Sequence, residues 1–293
     1  MRPVRFFFFI SFGLFVFDLQ GQTNSISSEL NFSKYLLNKK YYDESISVLK
    51  NLTNNRRSGI NPIQKDSIHY LLGNIYYNQQ DLRNSIAHFD SVKEGSHRMK
   101  VEAVFFSSFN QAYLKSYRVS EQKLLQYTPI DSTETQLRNL EIAGISLLQR
   151  DLKKYDSVSH YFSPPNYVID QQEEKMKEHY RRIMQQPKKS PFLAATLSAI
   201  LPGAGKFYAG NRGQGMYTLL ISTVLGLQAW EGYRKDGPSS FRFIAYGTIF
   251  SSIYIGTIWG SAFAVKFKRD QLNETINDQI LFDMHIPLRT LFH

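Results

Sequence analysis

The chain has 293 residues and carries 35 Lys or Arg side chains against 25 Asp or Glu, so its formal net charge is +10. It contains no cysteine, which excludes disulfide frameworks, zinc and iron–sulfur sites built on cysteine, a cysteine nucleophile and a lipoprotein anchor. This length accommodates about two domains. Eleven of the 17 glycines lie between Gly203 and Gly260, which indicates that the C-terminal third differs in kind from the rest.

The N-terminal segment has the pattern of a secretory signal peptide. Arg2 and Arg5 precede an apolar stretch of 12 residues, 6–17, which is too short to cross a bilayer core of about 30 Å comfortably. The pattern predicts a signal peptide over residues 1–21 and a short linker over residues 22–29. The alternative is a buried N-terminal helix or strand.

Residues 30–165 are poor in glycine and have the apolar periodicity of helices rather than the alternation of strands. Pairs of a small and a large residue, four positions apart, recur at intervals of 40 and 35 residues: Ser45 with Leu49, Ser85 with Phe89, and Ser120 with Leu124. The pattern predicts an all-α fold with about four helix pairs. An irregular helical bundle is the alternative.

The clearest of these units resembles a tetratricopeptide repeat. The resemblance rests on the pair Leu72-Gly73, on Tyr76 three residues later, and on Ser85 and Phe89 in the second helix. Gly73 and Ser85 are expected to let the two helices approach closely, while Tyr76 and Phe89 fill the remaining space. The resemblance implies an α-solenoid, whose extended concave face would hold a peptide or a partner protein.

Two prolines, Pro164 and Pro165, end the repeat region because they cannot continue a helix. The next segment, residues 166–189, is rich in charged side chains and predicts a solvated linker helix. Contact with anionic lipid head groups explains the basic residues of this segment more simply than nucleic-acid binding does. These basic residues are Lys175, Lys177, Arg181, Arg182, Lys188 and Lys189.

The C-terminal third predicts a membrane domain over residues 190–269. Two stretches that are uncharged over residues 213–230 and 243–265 are long enough to cross a hydrocarbon core as helices, and they predict spans at about 213–232 and 243–265. An earlier stretch, residues 190–202, ends at a Pro-Gly pair and predicts an interfacial or re-entrant helix. Residues 270–293 are expected to form a C-terminal tail.

Small residues recur every four positions in both predicted spans, and in the second they include Ser252, Gly256 and Gly260. Such a face lets helices pack closely where lipid supplies no hydrophobic driving force. The two spans are therefore expected to pack through these faces, and the hairpin is also compatible with homo-oligomerisation.

The segment before the first span contains the pair Gly205-Lys206, but it does not predict a phosphate-binding loop. Phe207 stands where Ser or Thr would bind magnesium, and Ile200 stands where the first glycine should be. The segment instead resembles the Pro-Gly-x-Gly-x-x-Tyr-x-Gly signature of small bacterial helical-hairpin membrane domains. These are related to the two-transmembrane-helix family and, in Bacteroidota-type proteins, often accompany tetratricopeptide repeats.

The residues that carry this second resemblance are Pro202, Gly203, Gly205, Tyr208, Gly210 and Gly215, with Gly256 and Gly260 matching the pattern of the second helix. The resemblance implies a membrane hairpin and brings no reaction with it. No arrangement of His, Ser, Asp or Glu predicts a catalytic or metal site, and no cofactor is expected.

The sequence therefore predicts a non-enzymatic, membrane-anchored protein-interaction scaffold of the bacterial envelope, whose repeats bind an unknown envelope protein or peptide. The alternative is an accessory subunit of an inner-membrane transport or envelope-biogenesis complex. Helical spans indicate the inner membrane, because outer-membrane proteins use closed barrels.

Two features of the sequence make opposite predictions about the side of the membrane on which the repeats lie. The signal peptide predicts periplasmic repeats, whereas the basic segment before the membrane domain favours the cytoplasm. We follow the signal peptide, because long domains are translocated largely regardless of their charge. The rival is a cytosolic repeat domain with an N-terminal anchor.

Overall fold

In a computed structural model, the chain is described over residues 22–54, 60–162 and 167–292, and these residues form thirteen helices and no strand. The predicted all-α fold class is therefore confirmed. The helices are α1 (Gln22–Asn38), α2 (Tyr42–Asn54), α3 (Pro62–Asn78), α4 (Leu82–Phe89), α5 (His97–Tyr113), α6 (Tyr117–Gln126), α7 (Ser132–Leu148), α8 (Leu152–Ser159), α9 (Tyr167–Met184), α10 (Pro191–Ile200), α11 (Ala204–Ala209), α12 (Arg212–Asp236) and α13 (Phe241–Phe292).

The predicted signal peptide and the two prolines that end the repeat region lie outside the described residues. The predicted linker over residues 22–29 belongs to α1 rather than to an extended segment. Its polar composition concealed the helix, in which Ile26 is buried against the core.

The described residues fall into two units, one formed by α1–α6 and the other by α7–α12 with nearly all of α13. In the first unit, α3 packs against α1, α2, α4 and α5. Its core consists of aliphatic side chains that are buried: Leu49, Leu52, Ile68, Leu72 and Ile75.

The same type of turn joins the two helices in each of four successive pairs: α1–α2, α3–α4, α5–α6 and α7–α8. In each turn a residue other than glycine has a φ angle of 61° to 64°: Lys40, Gln80, Lys115 and Arg150. The N–H of the next residue donates over 2.9 Å to the carbonyl five positions earlier in all four turns. This is the hydrogen bond that closes a Schellman motif. The four turns repeat at intervals of 40, 35 and 35 residues.

The helices of the first three pairs also cross in the same way. A serine of the second helix donates its hydroxyl to the main-chain carbonyl of a small residue twelve positions earlier: Ser45 to Ser33 (2.9 Å), Ser85 to Gly73 (2.9 Å) and Ser120 to Ser108 (2.7 Å). Only a small side chain leaves room for this bond. The crossing is therefore fixed by a hydrogen bond as well as by packing.

A single carboxylate holds the loop after α4. Asp66 of α3 is 5% exposed, and its Oδ2 accepts hydrogen bonds from the backbone N–H groups of Lys93 (2.5 Å), Glu94 and Gly95 (2.9 Å). Three consecutive amides that point at one oxygen form an anion-binding turn. Asp66 thus ties α3 to the loop between α4 and α5.

In the second unit, α9 runs beside the C-terminal half of α13. Two polar contacts join them in antiparallel register: His179 Nε2 with Asp283 Oδ2 (2.6 Å) and Arg182 with Gln279. Gln186, two residues beyond the end of α9, continues the series, since its Nε2 donates to Asn273 Oδ1 over 3.2 Å. α9 also buries Ile169 and Met176 completely. The prediction of a solvated linker helix is therefore corrected, since charged residues on the outer face of α9 concealed an inner face.

The predicted C-terminal tail is corrected as well, because α13 continues without a break to Phe292. Its last turns bury Ile276, Ile280, Met284 and Leu288, which are four residues apart. A Cβ at Gly144 of α7 would lie 2.5 Å from the Met284 sulfur, so α13 also docks on α7. The basic residues that follow the apolar stretch concealed this continuation.

Candidate functional site

The structure brings Gly73, Ser85 and Phe89 together where α3 crosses α4. A Cβ at Gly73 would lie 2.7 Å from the Phe89 ring, and the Ser85 hydroxyl is bonded to the Gly73 carbonyl. Tyr76 does not fill this crossing. Its ring stacks on His88 instead, with centroids 5.4 Å apart and an angle of 6° between the planes.

We expect Gly73→Ala to destabilise the first unit by about 1–3 kcal/mol, because the added methyl group must displace the buried Phe89 ring. Ala87→Ser, on the exposed face of α4, is the control and should leave the midpoint of thermal unfolding nearly unchanged. Equal melting of both variants and the wild-type chain would contradict this close crossing.

The predicted membrane signature forms the turn between α10 and α11 and its contact with α12. Pro202 lies in this turn, and Gly203 follows it with a φ angle of 90°. A Cβ at Gly203 would lie 2.5 Å from the carbonyl oxygen of Gly215, and a Cβ at Gly215 would lie 2.7 Å from the Phe207 ring. Both glycines therefore allow the turn to rest directly on α12.

Gly205 allows α11 to fold back onto α10. A Cβ there would overlap the carbonyl oxygen of Ala194 and would lie 2.7 Å from Ser198 Oγ. The Gly205 N–H donates to the same Ser198 hydroxyl over 2.9 Å. The Ser198 hydroxyl also bonds to the Ser261 hydroxyl of α13 over 2.7 Å, so one serine joins three elements.

Tyr208 and Gly210 close the return of α11 to the start of α10. The Tyr208 hydroxyl accepts a hydrogen bond from the Ser190 N–H over 3.0 Å, and the Tyr208 carbonyl accepts one from Lys189 Nζ over 2.7 Å. Gly210 ends α11 with a φ angle of 93°. The α10–α11 segment therefore begins and ends at the same place.

The predicted packing face of α13 is corrected by the structure. No atom lies within 4 Å of a Cβ at Gly256, and Ser252 is exposed. At Gly260 only the Lys206 side chain approaches, at 3.9 Å. The buried face lies one residue further on, at Thr257, Ser261 and Val265. A shift of one residue corresponds to a rotation of about 100° around the helix axis. The Ser198–Ser261 bond determines which face of α13 is turned inward. These two residues are 63 positions apart, and the sequence has no signal that relates them.

α12 and α13 meet near the turn that joins them. A Cβ at Gly232 would lie 2.9 Å from the Phe243 backbone nitrogen, and a Cβ at Gly226 would lie 3.3 Å from the Phe250 ring. The Tyr233 and Phe243 rings, with centroids 5.5 Å apart, and the Arg242–Glu231 ion pair (2.9 Å) join the two helices at the same end, so glycines of α12 and side chains of both helices hold this end together.

The outer faces of α10, α12 and α13 are strongly apolar. Large apolar side chains that are about half exposed or more include Phe192 and Ile200 of α10, Met216, Leu220, Val224, Leu227 and Trp230 of α12, and Ile244, Ile255, Trp259, Phe263 and Phe267 of α13. Such extended apolar surfaces mark binding to protein or membrane.

Among the described helices, α13 is the one that is long and apolar enough to cross a membrane. α12 contains four glycines and two glutamines and does not reach this criterion. Of the two predicted spans, only the second is therefore supported by length and composition.

A buried carboxyl group lies in the middle of α7. Glu141 is fully buried, and neither of its carboxylate oxygens has a hydrogen-bond partner. Burial raises the pKa of Glu141 well above its ordinary value of 4.5, because the charged form is poorly solvated there. The folded chain therefore retains this proton to a higher pH than the unfolded chain does.

The stability contributed by protonated Glu141 is present at low pH and is lost as the pH rises through the raised pKa. We expect Glu141→Gln to stabilise the chain by on the order of 1 kcal/mol at pH 8 and by less at pH 5. Thermal unfolding at the two pH values measures this, with exposed Glu274→Gln as the control. An equal effect at both pH values would contradict a raised pKa.

No group of three or more His, Asp or Glu side chains that could hold a metal ion occurs among the described residues. Most of the residues that the sequence singled out are packing positions, in the α3–α4 crossing and in the contacts among α10, α11 and α12, whereas Ser252 and Gly256 of α13 are not. Comparison with known protein families, with curated proteins and with solved structures gives no match for the chain.

Proposed function

We propose that this protein is a non-enzymatic, membrane-anchored interaction scaffold of the bacterial envelope. The observation that carries the proposal is the division of α13 into two halves. The first half exposes Ile255, Trp259 and Phe263, whereas the second half buries Ile280 and Met284 against the other helices of the second unit. One helix thus joins a lipid-facing surface to a folded body.

The contacts at the two ends of the apolar segment support an even number of membrane crossings. Gln186, just before α10, is bonded to Asn273, just after the apolar half of α13. Val265 packs with Ala194 and Ala209 at the same end. The chain therefore leaves this place and returns to it.

If α13 crosses once, the same segment must cross once more in the other direction. α10 and α11 return to their own starting point and supply no net crossing. α12 has 25 residues and a length of about 37 Å, and so it is the second span that we propose, despite its glycines and glutamines. Its ends carry Arg212 on one side and Lys235 on the other.

This arrangement predicts the sides on which introduced cysteines react, since the chain has none of its own. Lys188→Cys and Asp278→Cys should react with an impermeant maleimide from one side of the membrane, and Ser239→Cys from the opposite side. All three positions are exposed. Reaction of all three from one side would contradict the crossing by α12.

We propose that the repeats lie in the periplasm, on the basis of the signal-like N-terminal segment. Basic residues at the end of the hairpin nearest to α9, such as Lys188, Lys266 and Lys268, favour the cytoplasm instead. Reaction of Asp278→Cys in intact spheroplasts, before lysis, is the result expected for a periplasmic domain. Reaction only after lysis would place it in the cytoplasm.

The second candidate function is an accessory subunit of an inner-membrane transport or envelope-biogenesis complex. The small, exposed face of α13 around Ser252 and Gly256 favours it, because such a face suits close packing with another transmembrane helix. A second copy of the chain would fit the same face.

Site-specific photo-cross-linking in cells distinguishes the two functions. A photoreactive residue at Tyr113, which is exposed at the end of α5, reports on the helix pairs, and one at Ser252, which is also exposed, reports on the small-residue face of α13. A scaffold should cross-link to its partner from Tyr113, whereas an accessory subunit should do so from Ser252. Cross-links to protein from neither position would contradict both functions.

A further inference from the structure

Two histidines of the first unit face each other across the α3–α4 pair. His69 Nδ1 and His88 Nδ1 lie 3.1 Å apart, with ring centroids 5.3 Å apart and an angle of 34° between the planes. Both rings are half-buried. The stacking of Tyr76 on His88 holds the second ring in place.

The surroundings keep both rings neutral. Burial is the main cause that lowers the pKa of each imidazole. The Lys65 ammonium lowers the pKa of His69 further, against a smaller opposing effect of Asp66. His69 and Lys50 lower the pKa of His88. Neutral imidazole is the form that binds metals, since it keeps a lone pair on one ring nitrogen.

The distance between the two nitrogens fits a shared metal ion. Two imidazole nitrogens, each about 2.0–2.1 Å from one metal, lie about 2.9 Å apart at a right angle and about 3.4 Å apart at the tetrahedral angle. The observed 3.1 Å lies between these values, although the centroid separation of 5.3 Å shows that the two nitrogens face each other nearly in line, so both rings must tilt toward a common point to share one metal. Without metal the same distance corresponds to an N–H···N hydrogen bond between the rings.

We propose that His69 and His88 form a two-imidazole site for a divalent first-row transition metal ion, Cu²⁺ or Zn²⁺. On binding, the ring that carries its proton on Nδ1 moves it to Nε2, so that both Nδ1 lone pairs face the metal and no net proton is released. Water completes the coordination, because both rings are only half-buried. Asp66 Oδ2 is already held by three backbone amides, so the ligands that we propose are the two imidazoles.

Neighbouring charges determine which metal binds more tightly. The Lys50 and Lys65 ammonium groups repel a cation, and the described residues place no free carboxylate against the pair. Binding therefore depends on the two metal–nitrogen bonds, and these are stronger for Cu²⁺ than for Zn²⁺. We expect one equivalent of either ion to bind, with Cu²⁺ the tighter.

The test uses the full chain, purified in detergent without a histidine tag. Isothermal titration with Zn²⁺ should show one site, and the paramagnetic resonance spectrum of one equivalent of Cu²⁺ should show two nitrogen ligands. His69→Gln and His88→Gln should each weaken binding more than about tenfold. His160→Gln, at an exposed histidine outside the pair, is the matched control and should bind as the wild-type chain does.

Two measurements distinguish a loss of metal binding from a loss of folding. The melting temperature without metal identifies any variant that is unfolded, and the copper spectrum of the wild-type chain depends on no variant. Affinity should also fall between pH 7 and pH 5, as protons compete for the nitrogens. A copper spectrum with fewer than two nitrogens, or binding that survives in both glutamine variants, would overturn the proposal.

Discussion

Gly205→Ala should prevent α10–α13 from folding together, or destabilise this part of the second unit by at least about 3 kcal/mol. The added Cβ would overlap the Ala194 carbonyl oxygen and press on Ser198, which are parts of α10 that cannot move without losing their own hydrogen bonds. The change therefore separates α11 from α10. Thermal unfolding in detergent and the yield of monodisperse protein measure the loss.

Gly256→Ala is the matched control, because it adds the same methyl group to a glycine of the same domain where no atom lies within 4 Å. It should melt as the wild-type chain does. If it were as harmful as Gly205→Ala, then α13 would pack through Gly256, as the sequence predicts, and not through Thr257 and Ser261.

Asp66→Ala should destabilise the first unit by about 3–5 kcal/mol, because the backbone N–H groups of Lys93, Glu94 and Gly95 would lose their charged acceptor together. Asp66→Asn keeps one oxygen and should cost less than half as much. Hydrogen exchange measured by mass spectrometry should show faster exchange in residues 90–96 of the alanine variant.

Glu94→Ala is the control for this change, because it removes an exposed acidic side chain from the same loop and keeps the backbone contacts. It should leave both the exchange rates and the melting temperature close to those of the wild-type chain. A loss equal to that of Asp66→Ala would show that net charge, rather than the three hydrogen bonds, stabilises the loop.

The helix pairs were predictable where the sequence carries a steric requirement. Gly73 and Ser85 must be small for α3 and α4 to cross, and small residues at regular intervals are visible in a sequence. The turns between the helices were not predictable in this way. Lys40, Gln80, Lys115 and Arg150 take a positive φ angle that normally indicates glycine, so residue type gave no sign of them.

The membrane signature was predictable for the same steric reason, since Gly203 and Gly205 each lie where a Cβ would meet backbone atoms. The rotation of α13 about its own axis, which determines the face that it buries, was not predictable. Small residues four apart occur on two adjacent faces of this helix, one with Gly256 and one with Ser261, and the contact with Ser198 decides between them. Such a choice depends on a partner far away in the chain.

The absence of any break in α13 has a mechanical consequence. Between residues 261 and 286 the helix contains no glycine or proline, so this part bends little. From Lys266 to Ile286 it extends about 30 Å. With its apolar half in a bilayer, a tilt of about 10°, which is within the range that helices adopt when membrane thickness changes, moves the far end of this segment by about 5 Å. If α13 spans the membrane as we propose, it moves as one rigid rod, and α7 and α9, which pack against its second half, must move with it.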